Sequence, residues 1–315
     1  GRDRVADRLR RSQAHLARYQ AVTSFLQSTL YGLLQGGLLG LIAVGFSLVW
    51  GVMNIVNLAH GAFVILGAYI GWQANAWLGL DPFLGMFVAA ALLFVLGYVL
   101  QRWLINLVVN APIFITLLLT FGLDLLIVQG MNITFSADYR SIQTSYADNS
   151  LALGGVRLPL GRLLAFLVAV AVTIALVAVV NRTRTGMSIM ATGMDRGAAR
   201  LMGIRARHVY ALTFGIAAAL AGMAGTMIGM VGTFNPPAAG GYTLLSFVIA
   251  VLGGLGNMYG ALIGGLVIGL VEAWGGQYLS GTWVNALAFL VLVIVLMIRP
   301  SGLVGRAYYA ARVEV

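Results

Sequence analysis

The chain has 315 residues, of which 60% are hydrophobic and only 9% charged, with a mean hydropathy of +0.94. A typical soluble domain carries about 25% charged residues, so this chain has too little polar material to coat a water-soluble globule of its size. An all-α polytopic membrane protein is the class that remains.

The formal net charge is +10, and all 19 basic residues are arginine. Without lysine the chain cannot build a Walker A loop, whose ammonium group holds the nucleotide phosphates, nor a Schiff-base cofactor site. The lack of cysteine removes disulfides, thiolate nucleophiles and Cys-type zinc sites. The arginines sit at the ends of apolar runs, where they read as topology signals; nucleic acid is not an expected partner.

Residues 1–20 form a basic arm, with Arg2, Arg4, Arg8, Arg10, Arg11 and Arg18 against Asp3 and Asp7, and with Val5, Leu9 and Leu16 along one helical side. This pattern predicts a cytoplasmic amphipathic helix. The apolar sequence behind it continues for tens of residues, which reads as retention in the membrane and not as a cleaved signal peptide. From Phe25 to Leu80 the chain is uncharged, interrupted by Asn54, Asn57, His60 and many glycines. Further apolar runs follow at 83–101, 113–135, 161–180, 209–233, 242–277 and 283–298. The linker 136–160 is of mixed charge, with Asp138, Arg140, Asp148 and Arg157; the loop 181–208 carries six arginines against Asp195, which predicts a cytoplasmic location.

If the arm, Arg102, the loop 181–208 and the tail 306–315 all face the cytoplasm, the 25–80 stretch must cross three times and 242–277 twice. The expectation is therefore about ten (8–10) transmembrane helices, some short or broken, within a transmembrane domain over 21–305, with both termini cytoplasmic. The breaks are expected at Gly51 with Asn54, and at Gly253, Gly254 and Gly256 with Asn257. Glycines spaced by four, such as Gly36 and Gly40, Gly67 and Gly71, and Gly265 and Gly269, predict seams where backbones approach closely, either within the chain or across a subunit boundary.

Little in the sequence suggests catalysis. Gly254 to Gly260 superficially matches a dinucleotide loop, but no βαβ pattern surrounds it. His15, His60 and His208 lie apart, so no metal or cofactor site is expected. Ionisable groups inside apolar runs are the default functional candidates, because a charge costs roughly 2.5–3.5 kcal/mol at mid-span on insertion scales. Asp124 and Glu272 qualify, each as part of a solute path or as a hydrogen-bonded structural group. Asn54, Asn57 and His60 would share one face of a helix, as a path or gate surface or as hydrogen-bonding at a helix break. In the loop, Asp195 is expected to cap a short helix whose apolar face includes Ala198, Ala199, Leu201 and Met202, with Arg200 alongside and Gly203 ending it. Such a helix held outside the membrane is a docking knob for another protein.

The string Asp195-Arg-Gly-Ala-Ala-Arg-Leu-Met-Gly-Ile204 resembles the coupling-helix segment of branched-chain amino acid ABC transporter permeases. The resemblance extends to Gly51-Val-Met-Asn-Ile-Val-Asn-Leu-Ala-His-Gly61, Val251-Leu-Gly-Gly-Leu-Gly-Asn-Met-Tyr-Gly-Ala261, Gly269-Leu-Val-Glu-Ala273 and Arg299-Pro-Ser-Gly-Leu303, in family order over about residues 25–305. Two positions depart from the family pattern: Gly197 stands where a Glu is usual, and Asp124 where a small polar residue is usual. The resemblance implies an inner-membrane importer subunit that pairs with a second, related permease chain as a heterodimer. It further implies two cytoplasmic ATPases docked on 194–203 and a periplasmic or lipid-anchored solute-binding protein. The competing classes are a secondary transporter or channel with Asp124 or Glu272 as coupling acid, and a membrane scaffold without a solute path.

Overall fold

The computed structural model describes residues 2–144, 146, 149–153, 156–279 and 283–305. The tail 306–315, Asp148 and the side chains of arm residues 2–18 lie outside what is described. The helices are α1 (Arg2–Met53), α2 (His60–Leu78), α3 (Pro82–Leu100), α4 (Asn106–Val108), α5 (Ile113–Phe135), α6 (Leu160–Arg182), α7 (Arg184–Met194), α8 (Arg196–Leu201), α9 (Ala206–Val231), α10 (Ala239–Gly253), α11 (Met258–Tyr278) and α12 (Val284–Ile298). A π-turn at Gln101–Ile105 joins α3 to α4, and a two-stranded antiparallel hairpin, β1 (Ser150–Leu153) and β2 (Val156–Pro159), precedes α6. Among the described residues seven helices are long and apolar enough to cross a membrane.

The 25–80 stretch forms two helices, where three crossings were expected. Gly32, Gly36, Gly37, Gly40 and Gly45 do not break α1, because they serve as contact points. A Cβ on Gly36 would stand 2.7 Å from the Gly265 carbonyl oxygen, and one on Gly32 would stand 2.8 Å from that of Gly269. α1 and α11 thus pack backbone against backbone, and Gly67 meets Gly222 in the same way between α2 and α9. The glycine seams join helices within the chain.

The course of α1 also sets the arm apart from the other basic segments. Midway along α1, where its apolar part begins, the Gln27 side chain pairs with the backbone of Arg157 in β2; at its C-terminal end, Met53 receives a hydrogen bond from Arg196 of α8. The hairpin and the 184–203 segment therefore mark opposite ends of the bundle, and the arm extends from the hairpin end. Arg102, the arginines of 181–208 and Arg299 gather at the other end: Arg102 lines one cleft with Arg200, Arg205 and Arg207, and the 299–305 segment packs on the α10–α11 turn. Three of the four basic segments share an end, and the helix leading out of the arm separates it from them.

The expected breaks occur. At Met53 the helix stops, Asn54 adopts φ +54°, and the chain turns back into the bundle. Non-helical backbone inside a membrane protein must have its polar groups satisfied by neighbours. Here Thr120 accepts from the Leu58 amide and donates to the Val56 carbonyl, while Thr243 accepts from the Gly61 amide and donates to the Leu58 carbonyl. His60 Nε2 donates to the Ile42 carbonyl at 2.9 Å, about 16 Å in from Met53 at 1.5 Å per residue, so α2 starts inside the bundle. Residues 232–238 form a counterpart entered from the hairpin end, held where Arg140 and Phe234 exchange backbone hydrogen bonds of 2.9 Å. α10 begins there, beside Gly61. The two shortened helices start side by side and run to opposite ends. The second expected break, at Gly254 (φ +107°) and Gly256 (φ +80°), is closed by Asn257, whose Oδ1 caps α11 at the Gly260 amide and whose Nδ2 donates to the Val304 carbonyl.

At the hairpin end Asp81 caps α3 through the Phe83 amide and also accepts from the Tyr146 hydroxyl. Burial, with this hydrogen bond to a carboxylate, pushes the Tyr146 phenol well above its ordinary range.

Candidate functional site

The 181–208 loop folds into a knob of two short helices. Thr183 caps α7 by accepting from the Gly186 amide at 3.0 Å, and Asp195 caps α8 by accepting from Gly197 and Ala198 at 2.7 and 3.1 Å. Gly203, at φ +81°, turns the chain out of α8, as the sequence predicts. Exposure then sorts the candidates. Leu201 is 90% and Met202 83% exposed, Ala198 and Arg200 are exposed beside them, and Met194 extends the apolar surface. Ala199 faces the other way and is buried, which removes it from the expected outward face. Leu201 and Met202 thus form a bare apolar patch on a helix flanked by arginines.

Sequence reasoning missed the residue that ties the knob to the bundle. Arg196 Nη2 donates to the Met53 carbonyl at 2.8 Å, Nη1 to Asn110 Oδ1 at 3.4 Å, and the guanidinium lies 5.2 Å from the Tyr210 ring centroid. Gly193 sits directly on the backbone of Gly51, and Gly51 in turn lies against Gly256. The strings 51–61, 251–261 and 299–303 therefore converge beside the knob. Its attachment point is the place where α1 stops and the chain re-enters the bundle. The only sequence cue to Arg196 was an arginine beside a helix cap.

Asn54, Asn57 and His60 do not form a helical stripe, because 54–59 is not helical. Asn54 is exposed at the break, while Asn57 is buried and its Oδ1 accepts from the Ala59 amide in a local turn. His60 is fully buried as the first residue of α2, edge-on to Phe46. These two residues hold the helix break together. Asp124 and Glu272 are not brought together either. Asp124 lies on α5, a helix with a largely exposed apolar face, and its Oδ1 is buried without a hydrogen-bond partner among the described residues. Glu272 lies on α11 and lines a cleft at the hairpin end with Arg162 of α6 and Gln27, Tyr31 and Gln35 of α1.

A bundle of membrane-length helices with glycine seams, re-entrant segments and a capped external knob defines a polytopic membrane protein of the transport-permease class. The family model described as "Branched-chain amino acid transport system / permease component" matches residues 28–296, and the chain belongs to that family. It is 31% identical over 295 residues to the high-affinity branched-chain amino acid transport system permease protein BraD of Pseudomonas aeruginosa, covering 90% of this chain and 96% of the relative. Identity to the corresponding LivH protein of Escherichia coli K12 is 30% over 302 residues, with the same coverage. A probable branched-chain amino acid permease of Methanocaldococcus jannaschii is 27% identical over 290 residues, covering 87% of this chain and 90% of the relative. No solved structure matches the chain.

Proposed function

We propose that this chain is the permease subunit of an ATP-binding-cassette importer that moves branched-chain amino acids, or a closely related small solute, across the inner membrane. The observation that carries the reading is the α7–α8 knob, which presents Leu201 and Met202 outward while Arg196 fastens it to the end of α1. Relatives named as branched-chain amino acid permeases support the solute class. A chain without lysine has no P-loop of its own, so the motor is a separate pair of ATPases docked under α8. The knob end is then cytoplasmic, as are Arg102 and Arg299, and the hairpin end faces the solute-binding protein. A second permease chain completes the path.

Closure of the ATPases on nucleotide would displace the knob as a unit. Arg196 would pass that movement to Met53, and so to the re-entrant segment 54–59, which Thr120 and Thr243 connect to α5 and α10. A switch of this kind needs only a bistable packing at the break, biased by the motor's state. The test is leucine uptake into proteoliposomes containing both permease chains, the ATPases and the binding protein. Uptake that stops when the ATPases are omitted supports the proposal. Uptake by this chain alone, driven by a proton gradient, would overturn it.

A further inference from the structure

The cleft between α1, α6 and α11 holds two formal charges of opposite sign that do not neutralise each other. Glu272 lies in α11 and Arg162 in the first turn of α6, and both line one cavity of ≈ 390 Å³. Among the described residues the Glu272 carboxylate has no hydrogen bond or ion pair, and the contact of Arg162 is with the Tyr31 ring, 4.9 Å from its centroid. The α1 wall is a polar stripe at helical spacing, Gln27, Tyr31 and Gln35, with Ser28 beside it. Opposite it α11 contributes Ala273 and Gly276 with Gln277 beside them, and Gly276 has nothing within 4 Å of where a Cβ would stand. A cleft set into membrane-spanning helices and lined by an acid and a base that do not pair with each other is suited to an occupant with a charged group for each.

We propose that Arg162 and Glu272 form an entry site that receives an α-amino acid by its two charged ends. The guanidinium fork of Arg162 would take the carboxylate and Glu272 the ammonium, with the solute side chain over the small-residue floor of α11. This rests on the importer reading given above and adds to it where, on this chain, the solute arrives. The floor makes few shape-specific contacts, so the site reads the backbone shared by amino acids and leaves side-chain selection to the protein that delivers them. Its position at the hairpin end, opposite the knob, suits the first step of import.

The test uses the assembled complex in nanodiscs and saturation-transfer NMR, with three probes: L-leucine, 4-methylpentanoic acid, which lacks the ammonium, and 3-methylbutylamine, which lacks the carboxylate. Arg162→Gln should abolish the signals of leucine and the acid and keep that of the amine. Glu272→Gln should abolish leucine and the amine and keep the acid. Each variant should also lower ATP-dependent leucine uptake at least tenfold with ATPase co-purification unchanged, whereas Glu272→Asp and Arg162→Lys, which keeps the charge without the fork, retain part of it. Equal loss of all three probes in both variants, or loss of none, overturns the site. A wild-type complex without ATP-dependent leucine uptake would instead overturn the importer reading, a result separable from the pattern of probe binding.

Discussion

Gly36→Ala adds one methyl group at the seam between α1 and α11. Its Cβ would stand 2.7 Å from the Gly265 carbonyl oxygen and 2.8 Å from the Leu266 Cα, whereas ordinary contact begins at 3.4 Å. Both obstacles are backbone, so no side chain can rotate away and α11 must move off α1 by about 0.7 Å. A gap of that size forfeits about a quarter to a half of the dispersion well at every neighbouring contact, including Gly32 on Gly269. The expected cost is about 1–3 kcal/mol, the usual range for overpacking. Gly122→Ala on α5 is the control: nothing lies within 4 Å of its Cβ, and alanine is favoured over glycine in a helix by roughly 0.8–1 kcal/mol. Purified complex would be heated in detergent and the monodisperse fraction followed by size-exclusion chromatography. Gly36→Ala should lower the midpoint, and Gly122→Ala should leave it level or raise it. A Gly36→Ala protein as heat-resistant as wild type would show that α1 and α11 are not packed as described.

Leu201→Glu with Met202→Glu should abolish ATPase co-purification and leave the fold's melting midpoint unchanged, since both side chains are exposed. Ala199→Glu should instead disrupt the knob itself, because it forces a carboxylate into a buried position; limited proteolysis of the loop separates the two outcomes. Arg196→Ala removes the hydrogen bond to Met53, and it is expected to preserve ATPase binding and ATP hydrolysis while leucine uptake falls at least tenfold. Asp195→Ala should cost about 1 kcal/mol through loss of the α8 cap and weaken ATPase retention on a pull-down. Thr243→Val leaves the Gly61 amide and the Leu58 carbonyl without their partner and should lower the melting midpoint by the equivalent of about 1–3 kcal/mol.

What the sequence disclosed was chemistry that acts locally. The α8 cap, its glycine stop and the breaks at Gly51–Asn54 and Gly253–Asn257 are each set by a few adjacent residues, and each occurs where expected. Tertiary contacts decided the rest. The glycines of α1 could read as helix breakers or as packing points, and only the approach of α11 distinguishes the two. That ambiguity produced the expectation of a third helix in 25–80, where two occur. Ala199 and Leu201 look alike in an apolar pattern, but a six-residue helix has too few turns to define an inward face without knowing what lies beneath it. Arg162 was hidden because an arginine at the start of an apolar run already has an explanation as a topology signal; its place opposite Glu272 depends on α6 and α11 flanking α1.

The paired starts of α2 and α10 carry a further consequence for leakage. The first turn of a helix presents roughly half a unit of positive charge from its aligned peptide dipoles, and here two such ends lie next to each other deep in the bundle. Hydronium or sodium approaching from either side would meet a repulsive electrostatic barrier, much as opposed half-helices exclude protons in water channels. Two helix starts placed this way oppose cation leakage across an energised membrane.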